Sequence, residues 1–272
     1  MTTTTTTPVE TPVLAATPVR RPWLSDVRLV MTRELRPVVR EPFSVVFGLV
    51  QPLVFLGLFG PLLVGTSDGL SSAEVWQWFV PSVLVMTTLF GTSTTGANLQ
   101  FEMQTGAHER LLVTPLSRSA QLVGRSLKEM VPLAAQALIV IVVMLPFGFR
   151  ADPLGSVLGL AMLAVLGVGL GSLSYALAIA VRKQEWMFWA VQQTVLFPLL
   201  ILSGMLLPLA SGPQWMKVAS AFDPLRWVVE AERALFAGDL TSGAVAAGWL
   251  AAVLTAAVGL VVGVRTLLRS TD

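Results

Sequence analysis

Long apolar intervals without a charged residue alternate with short charged segments along most of this chain. After Glu41, six intervals contain no Asp, Glu, Lys or Arg, and each is long enough for a helix to cross a bilayer. A charged side chain at the bilayer centre costs about 2.5–3.5 kcal/mol, so such intervals are typical of membrane spans. The pattern therefore predicts an all-α polytopic membrane protein with six transmembrane helices. The predicted spans are residues 43–64, 76–97, 127–148, 155–181, 186–208 and 243–264.

The composition agrees with a membrane protein. Hydrophobic residues make up 54% of the chain and charged residues 12%, and the mean hydropathy is +0.74, which leaves too little polar surface to cover a soluble globule. A net charge of +2 without a basic stripe predicts no nucleic-acid partner. We expect residues 22–272 to form a single transmembrane domain. Residues 1–21 are rich in Thr and Pro and lack the pattern of a signal peptide, so we expect a retained, disordered leader.

The positions of the basic residues predict the orientation of the spans. Fourteen of the 18 Lys and Arg residues fall on the side that holds the N-terminus, which predicts that both termini are cytoplasmic in a bacterial plasma membrane. Residues 22–39 place apolar side chains on one helical face and arginines elsewhere. This segment predicts either a helix lying in the cytoplasmic interface or only a topology signal before the first span.

Two of the predicted spans carry polar side chains at membrane depth. Thr88, Thr92 and Thr95 recur at helical neighbour spacing in the second span, and Gln192 and Gln193 lie within the fifth. These side chains are candidates for a translocation path. The alternative is helix packing, in which the hydroxyls bond to the preceding turn of their own helix and the amides bond across helices.

The segment between the second and third spans, residues 98–130, is too long for a simple turn. Phe101, His108 and Leu111 fall on one side of a short predicted helix, and charged residues point elsewhere. Pro115 ends this helix because proline disfavours helical geometry in the residue before it. Such an amphipathic helix is typical either of a docking element or of a solvated connector.

The segment before the last span, residues 212–238, carries too many charges to span and too many apolar residues for a free loop. We expect two short helices, broken at Asp223 and Pro224, that re-enter the outer leaflet. Glu230 is four residues from Arg226 and three from Arg233, so it can pair with both arginines along one face. An amphipathic helix lying on the outer surface is the alternative.

Three motifs together resemble the permease subunits of the second-type ABC exporter family, of which the daunorubicin-resistance permeases are the best-known drug-export members. The first runs from Glu102 to Arg118 and reads E-M-x-x-G-x-x-E-R-L-L-V-T-P-L-S-R. The others read S-G-M-x-x-P at residues 203–208 and D-P-L-x-x-V-V-E-A-x-R at residues 223–233. The resemblance extends over nearly the whole chain, although many members have Asn where Asp223 stands.

The resemblance implies roles for two of these segments. In the family, the loop after the second span forms a coupling helix that rests in a groove of a separate nucleotide-binding subunit, and the segment before the last span is an extracellular lid. By matched position the coupling residues are Glu102, Gly106, His108, Glu109, Arg110, Leu111, Thr114 and Pro115. The lid residues are Trp215, Asp223, Pro224, Arg226, Glu230 and Arg233.

Enzymatic functions find no support in the sequence. The chain has no glycine-rich phosphate loop of the GxxxxGK[ST] type, no cysteine, a single histidine and no GxSxG motif. We therefore expect a transport subunit that is not an enzyme and holds no cofactor or metal. ATP and Mg are expected on the partner ATPase.

The predicted function is that of the membrane-spanning subunit of an ATP-driven ABC exporter for a hydrophobic or amphipathic drug, antibiotic or secondary metabolite. Its expected partners are two copies of a separately encoded ATPase, membrane lipid, and a second permease copy in a homodimer or a paralogue. An exporter of a lipid or glycan conjugate is the alternative within the family. An ATP-independent secondary transporter usually needs ionisable groups within the membrane, which are missing here, and a membrane scaffold is the third possibility.

Overall fold

The computed structural model describes residues 22–40, 43–66, 69–107, 116–182 and 184–269. Every regular element within these ranges is helical. The predicted leader, residues 1–21, lies outside the described residues. The helices are α1 (Trp23–Arg40), α2 (Phe43–Thr66), α3 (Ser72–Gln104), α4 (Arg118–Met144), α5 (Pro153–Ala180), α6 (Glu185–Leu202), α7 (Gln214–Ala221), α8 (Pro224–Phe236) and α9 (Gly243–Arg269).

Six of these helices, α2 to α6 and α9, are long and apolar enough to cross a membrane. This confirms the predicted all-α class and the number of spans. Several helix ends differ from the predicted bounds, and two of the larger differences have a clear local cause. Helix α4 begins nine residues earlier than predicted, because the Ser117 hydroxyl accepts the backbone N–H of Ala120 and caps its first turn. Helix α6 ends at Leu202, shortly before Gly204 adopts a left-handed φ of +71° that a helix cannot contain.

Helix α3 lies at the centre of the structure and contacts α2, α4, α5, α6 and α8. It begins with a capping box, in which the Ser71 hydroxyl accepts from the Glu74 N–H and the Glu74 carboxylate accepts from the Ser71 N–H. At about 1.5 Å per residue the helix is about 50 Å long, whereas the hydrocarbon core is about 30 Å thick. Helix α3 is therefore longer than one crossing of the hydrocarbon core requires, and its last turn carries Glu102 and Gln104.

Helices α5 and α9 approach each other closely along a line of glycines. A Cβ on Gly169 would lie 2.6 Å from the carbonyl carbon of Thr255, and a Cβ on Gly259 would overlap the backbone of Gly169. Only glycine fits at these two positions, which agrees with the use of small residues at helix contacts in membranes.

Helix α1 packs against α4 rather than standing alone. Val27 and Val30 are buried, and Gly124 on α4 leaves the space that they occupy. Trp23 and Leu24 remain exposed. The structure therefore confirms an amphipathic helix and covers part of its apolar face with protein.

Helices α7 and α8 form the predicted pair of short helices, separated at Phe222 and Asp223. Helix α8 packs against α3, α5 and α9, so its apolar face belongs to the protein core. Re-entry of this pair into a membrane leaflet stays a prediction.

Candidate functional site

A buried arginine on α4 contacts three other helices at the end of the structure from which the α3–α4 loop emerges. Arg125 on α4 is 5% exposed, and its Nη2 donates to the Glu102 carboxylate near the end of α3. The same nitrogen lies 3.8 Å from Oε1 of Glu34 on α1, and the guanidinium carbon lies 5.8 Å from the ring centre of Tyr175 on α5. Arg125 thereby joins the loop-bearing end of α3 to the third span and to the amphipathic helix.

Further polar contacts hold α1 against the start of α4. The carboxylate of Asp26, which is 5% exposed, accepts the backbone N–H of Ser117 at 3.2 Å. The indole N–H of Trp23 donates to the Ser119 hydroxyl at 3.0 Å. Because these bonds join residues far apart in the chain, α1 and the end of the α3–α4 loop form one structural unit.

The α3 end is also attached to the fifth span. The Gln104 amide donates to the carboxylate of Glu185, the first residue of α6, at 2.9 Å. Gly106 follows with φ of +69°, a left-handed conformation that favours glycine and turns the chain away from α3. Of the predicted coupling residues, the structure describes only Glu102 and Gly106. His108, Glu109, Arg110, Leu111, Thr114 and Pro115 lie outside the described residues, and the coupling role of the whole set stays a prediction.

The predicted threonine stripe faces the protein interior. Thr88, Thr92 and Thr95 are each at most 4% exposed. The Thr88 hydroxyl donates to the Leu84 carbonyl at 3.1 Å, and the Thr92 hydroxyl donates to the Thr88 carbonyl at 2.8 Å. Two of the three hydroxyls thus bond to the preceding turn of α3, which is the geometry of the packing alternative.

Thr92 and Gln192 nevertheless meet at a small cavity of about 160 Å³ between α3, α5 and α6. The cavity is otherwise lined mainly by Leu and Val side chains, and the buried Gln192 Oε1 has no hydrogen-bond partner. Gln193 is exposed and does not line this cavity. Among the five predicted path residues, the structure therefore brings together Thr92 and Gln192. Their role in translocation stays a prediction.

Arg233 holds the predicted lid helix α8 against α3. Its Nε donates to the Trp78 carbonyl at 3.0 Å, and its Nη2 donates to the Ser82 hydroxyl at 2.7 Å and to the Gly204 carbonyl at 3.0 Å. The guanidinium also lies over the Trp78 ring, 4.1 Å from its centre. Burial lowers the pKa of Arg233 to about 10, which leaves it charged at neutral pH.

The other predicted lid residues lie at the start and on the outer face of α8. Arg226 pairs with Glu230 at 2.9 Å, as the spacing predicts, whereas Arg233 uses its hydrogen bonds on α3 and on Gly204. The Asp223 carboxylate accepts the Leu225 N–H at 2.9 Å and caps the helix that Pro224 begins. Burial raises the pKa of Asp223 to about 6, although that backbone hydrogen bond opposes the rise. On α7, Trp215 is 65% exposed.

Glu232 on α8 was not expected to be buried, yet it is completely inaccessible to solvent. Neither carboxyl oxygen has a hydrogen-bond partner, and the side chain occupies the space beside Gly159 on α5. Burial raises the pKa of Glu232 to about 8, so the group is mainly protonated at neutral pH. The sequence does contain a signal for this position, because Leu225, Val228 and Leu235 place it on the apolar stripe of the helix.

Within the described ranges, no group of three or more His, Asp or Glu residues lies close enough to hold a metal ion.

Comparisons with known proteins identify the family. The family model described as "ABC-2 type transporter" matches residues 25–237, which include the Arg125 cluster and helix α8. The transport permease ycf38 of Cyanophora paradoxa is 28% identical over 218 residues, covering 79% of this chain and 75% of that protein.

Two bacterial relatives carry names that refer to drugs. The daunorubicin resistance ABC transporter permease protein DrrB1 of Streptomyces coeruleorubidus is 28% identical over 223 residues, covering 81% of this chain and 78% of that protein. The multidrug ABC transporter permease YbhR of Escherichia coli K12 is 25% identical over 189 residues, covering 68% of this chain and 50% of that protein. The family match extends over most of the chain and confirms the resemblance seen in its motifs. This chain belongs to the ABC-2 type transporter family.

Proposed function

We propose that this chain exports a hydrophobic or amphipathic compound, with ATP hydrolysed on a separate nucleotide-binding subunit. Family membership makes the chain a multi-pass permease of an ABC transporter. The drug-resistance permeases among its relatives support a drug, an antibiotic or a secondary metabolite as the transported compound.

The observation that carries the mechanism is the buried Arg125 cluster. A force applied to the α3–α4 loop acts on the end of α3, and the Arg125–Glu102 contact transmits it to α4. The contact with Glu34 transmits the same displacement to α1, and the Gln104–Glu185 hydrogen bond transmits it to α6. Closure of the ATPase would therefore tilt several spans together, as in a rigid-body switch between two states.

The assembly is expected to contain two copies of the ATPase and a second permease, either a homodimer or a paralogue. Six spans are few to enclose a path, and α2 and α6 expose apolar side chains over much of their surface. The proposed orientation places both termini and the α3–α4 loop in the cytoplasm, where ATP is available. A single cysteine introduced at Leu70, which lies in the α2–α3 hairpin, should then react with an impermeant maleimide in intact cells.

The test of coupling is the variant Arg125→Gln in proteoliposomes that contain the chain with its ATPase. We expect ATP hydrolysis to persist while transport per ATP falls about tenfold, since coupling energies of about 1–3 kcal/mol correspond to such factors. Arg36→Gln on the exposed side of α1 is the matched control and should transport normally. Normal coupling in Arg125→Gln would refute the proposed transmission through this cluster.

A further inference from the structure

A second cavity, of about 370 Å³, lies between α2, α3 and α4 on the side of the structure that holds α1. Its lining includes Lys128 and Glu129 of α4, whose Nζ and Oε1 atoms are 3.1 Å apart. Their side chains are only 12% and 10% exposed. Asn98 and Thr94 of α3 line the same end of the cavity.

The position of this ion pair is not explained by topology alone. A lysine near the end of a span usually extends its ammonium group toward water, where it is fully hydrated. Lys128 instead directs its ammonium group to Glu129 beside a cavity that can hold a ligand. Burying two charges costs several kcal/mol each before their attraction is counted, so further polar partners in the cavity would stabilise the pair.

The cavity also changes in polarity along its length. At about 1.5 Å per residue, Asn98 and Met86 are about 18 Å apart along α3, and both line it. Asn98 lies near the end that holds the ion pair, while Met86, Phe90 and Leu133 line the wall toward the middle of the spans, where Thr87 and Gln136 are uncharged polar residues. A ligand with a polar head and an apolar tail matches this gradient.

The charge of the lining selects the head group. Among the described residues, Lys128 and Glu129 are the ionisable ones that line the cavity, and their charges cancel. A purely anionic head would pair with the lysine and leave the buried glutamate without its partner, which is costly. A head that carries both an anionic and a cationic group can satisfy both residues, and the amide of Asn98 supplies a further hydrogen-bonding group at that end of the wall.

We infer that this cavity binds a zwitterionic amphiphile, with the anionic group at Lys128, the cationic group at Glu129 and the apolar tail along Phe90 and Leu133. Its volume is near the lower limit for ligand sites, about 300 Å³, so the head and the first part of the tail are enclosed and the remainder extends outward. The physiological meaning of this inference rests on the proposed exporter function. Its test measures binding alone, so a failure of the binding site can be distinguished from a failure of the exporter function.

The chain contains no cysteine, so one introduced cysteine can be labelled selectively. Asn98→Cys places one thiol on the cavity wall at an exposed position that a bound head group would cover, and Phe101→Cys places one at an exposed position of the same helix outside the cavity, as a matched control. The rate of maleimide labelling of the purified full chain is measured with dihexanoyl phosphatidylethanolamine or with chain-matched dihexanoyl phosphatidylglycerol. At ten times the dissociation constant, the zwitterionic lipid should slow labelling of the cavity thiol about tenfold, because only the empty cavity reacts.

The anionic lipid should protect the cavity thiol much less, and the control thiol should be unaffected by either lipid. The double substitution Lys128→Gln and Glu129→Gln should abolish the preference for the zwitterionic head. Absence of protection, equal protection by both lipids, or rapid cross-linking of Asn98→Cys between two copies would overturn the inference.

A resident lipid and an exported compound can share this head-group chemistry. Adding MgATP and the partner ATPase separates the two sources, since an exported amphiphile leaves the cavity during turnover and protection falls. A resident lipid remains bound, and protection persists. Both results support a zwitterionic site, and they assign it to different occupants.

Discussion

Replacement of Glu232 by leucine is predicted to stabilise the protein in a pH-dependent manner. The carboxyl group is completely buried in α8, and both of its oxygens lack a hydrogen-bond partner. Leucine has a similar volume and belongs on the same apolar stripe as Val228 and Leu235. The substitution should therefore remove a buried polar group without opening a cavity.

The magnitude follows from the pKa of Glu232, which burial raises from 4.5 to about 8. Below pH 4.5 the group is protonated in both the folded and the unfolded chain, so its ionisation costs the fold nothing. As the pH rises, the unfolded chain ionises first, and each pH unit lowers the free energy of unfolding by about 1.4 kcal/mol until the folded group also ionises near pH 8. The penalty at pH 7 is about 3 kcal/mol, and the wild type should lose about 4 kcal/mol between pH 5 and pH 8 from this residue.

The assay is the free energy of unfolding of the purified chain in mixed micelles, measured by SDS titration at pH 5, 6, 7 and 8. The difference between Glu232→Leu and wild type isolates this residue, because Asp223, whose pKa burial raises to about 6, contributes equally to both proteins. That difference should grow steadily with pH.

Two results would refute this reasoning. If the free energies of unfolding of wild type and Glu232→Leu differ by the same amount at every pH from 5 to 8, the carboxyl is not buried in the folded protein. If Glu232→Leu is less stable than wild type at pH 7, the carboxyl has a partner that stabilises it.

Two further substitutions test the helix contacts around the site. Gly259→Ala should destabilise the protein by about 2 kcal/mol because its methyl group overlaps the backbone of α5, whereas Gly57→Ala meets open space and should be neutral or slightly stabilising. SDS titration of both variants checks this, and equal stabilities would contradict the close contact of α5 and α9. Arg233→Gln should detach α8 from α3, cost about 3 kcal/mol and reduce transport in proteoliposomes, because backbone carbonyls at the contact lose their donor. Arg226→Gln removes only a partly exposed ion pair and should lower the stability by less than about 1 kcal/mol. An equal loss of stability in Arg226→Gln and Arg233→Gln would mean that Arg233 does not hold α8 against α3.

The number and type of the helices could be predicted from the sequence because each span requires a long charge-free interval. The positions of their ends could not, since these depend on single local contacts. Ser117 caps α4 through one hydrogen bond, and Gly204 ends the helical region of α6 through one backbone conformation. Neither contact changes the hydrophobic pattern.

The candidate site was only partly accessible to sequence reasoning. The motif resemblance selected Glu102 and Arg233, but not the residues that they contact. The sequence shows Arg125 only as a basic residue at the end of a span. Its contacts with Glu34 and Glu102 could not be predicted, because these residues lie on different helices and no helical periodicity relates them. Its importance depends on how α1, α3 and α4 pack, which is a tertiary property.

The most direct test of the account is to purify the tagged chain gently from its native membrane, identify the proteins that accompany it and measure ATP hydrolysis in lipid. We predict a stoichiometric ATPase subunit with a phosphate-binding loop, whose hydrolysis is stimulated by hydrophobic or amphipathic compounds. A chain that is purified without such a subunit and transports in the absence of ATP would contradict the account.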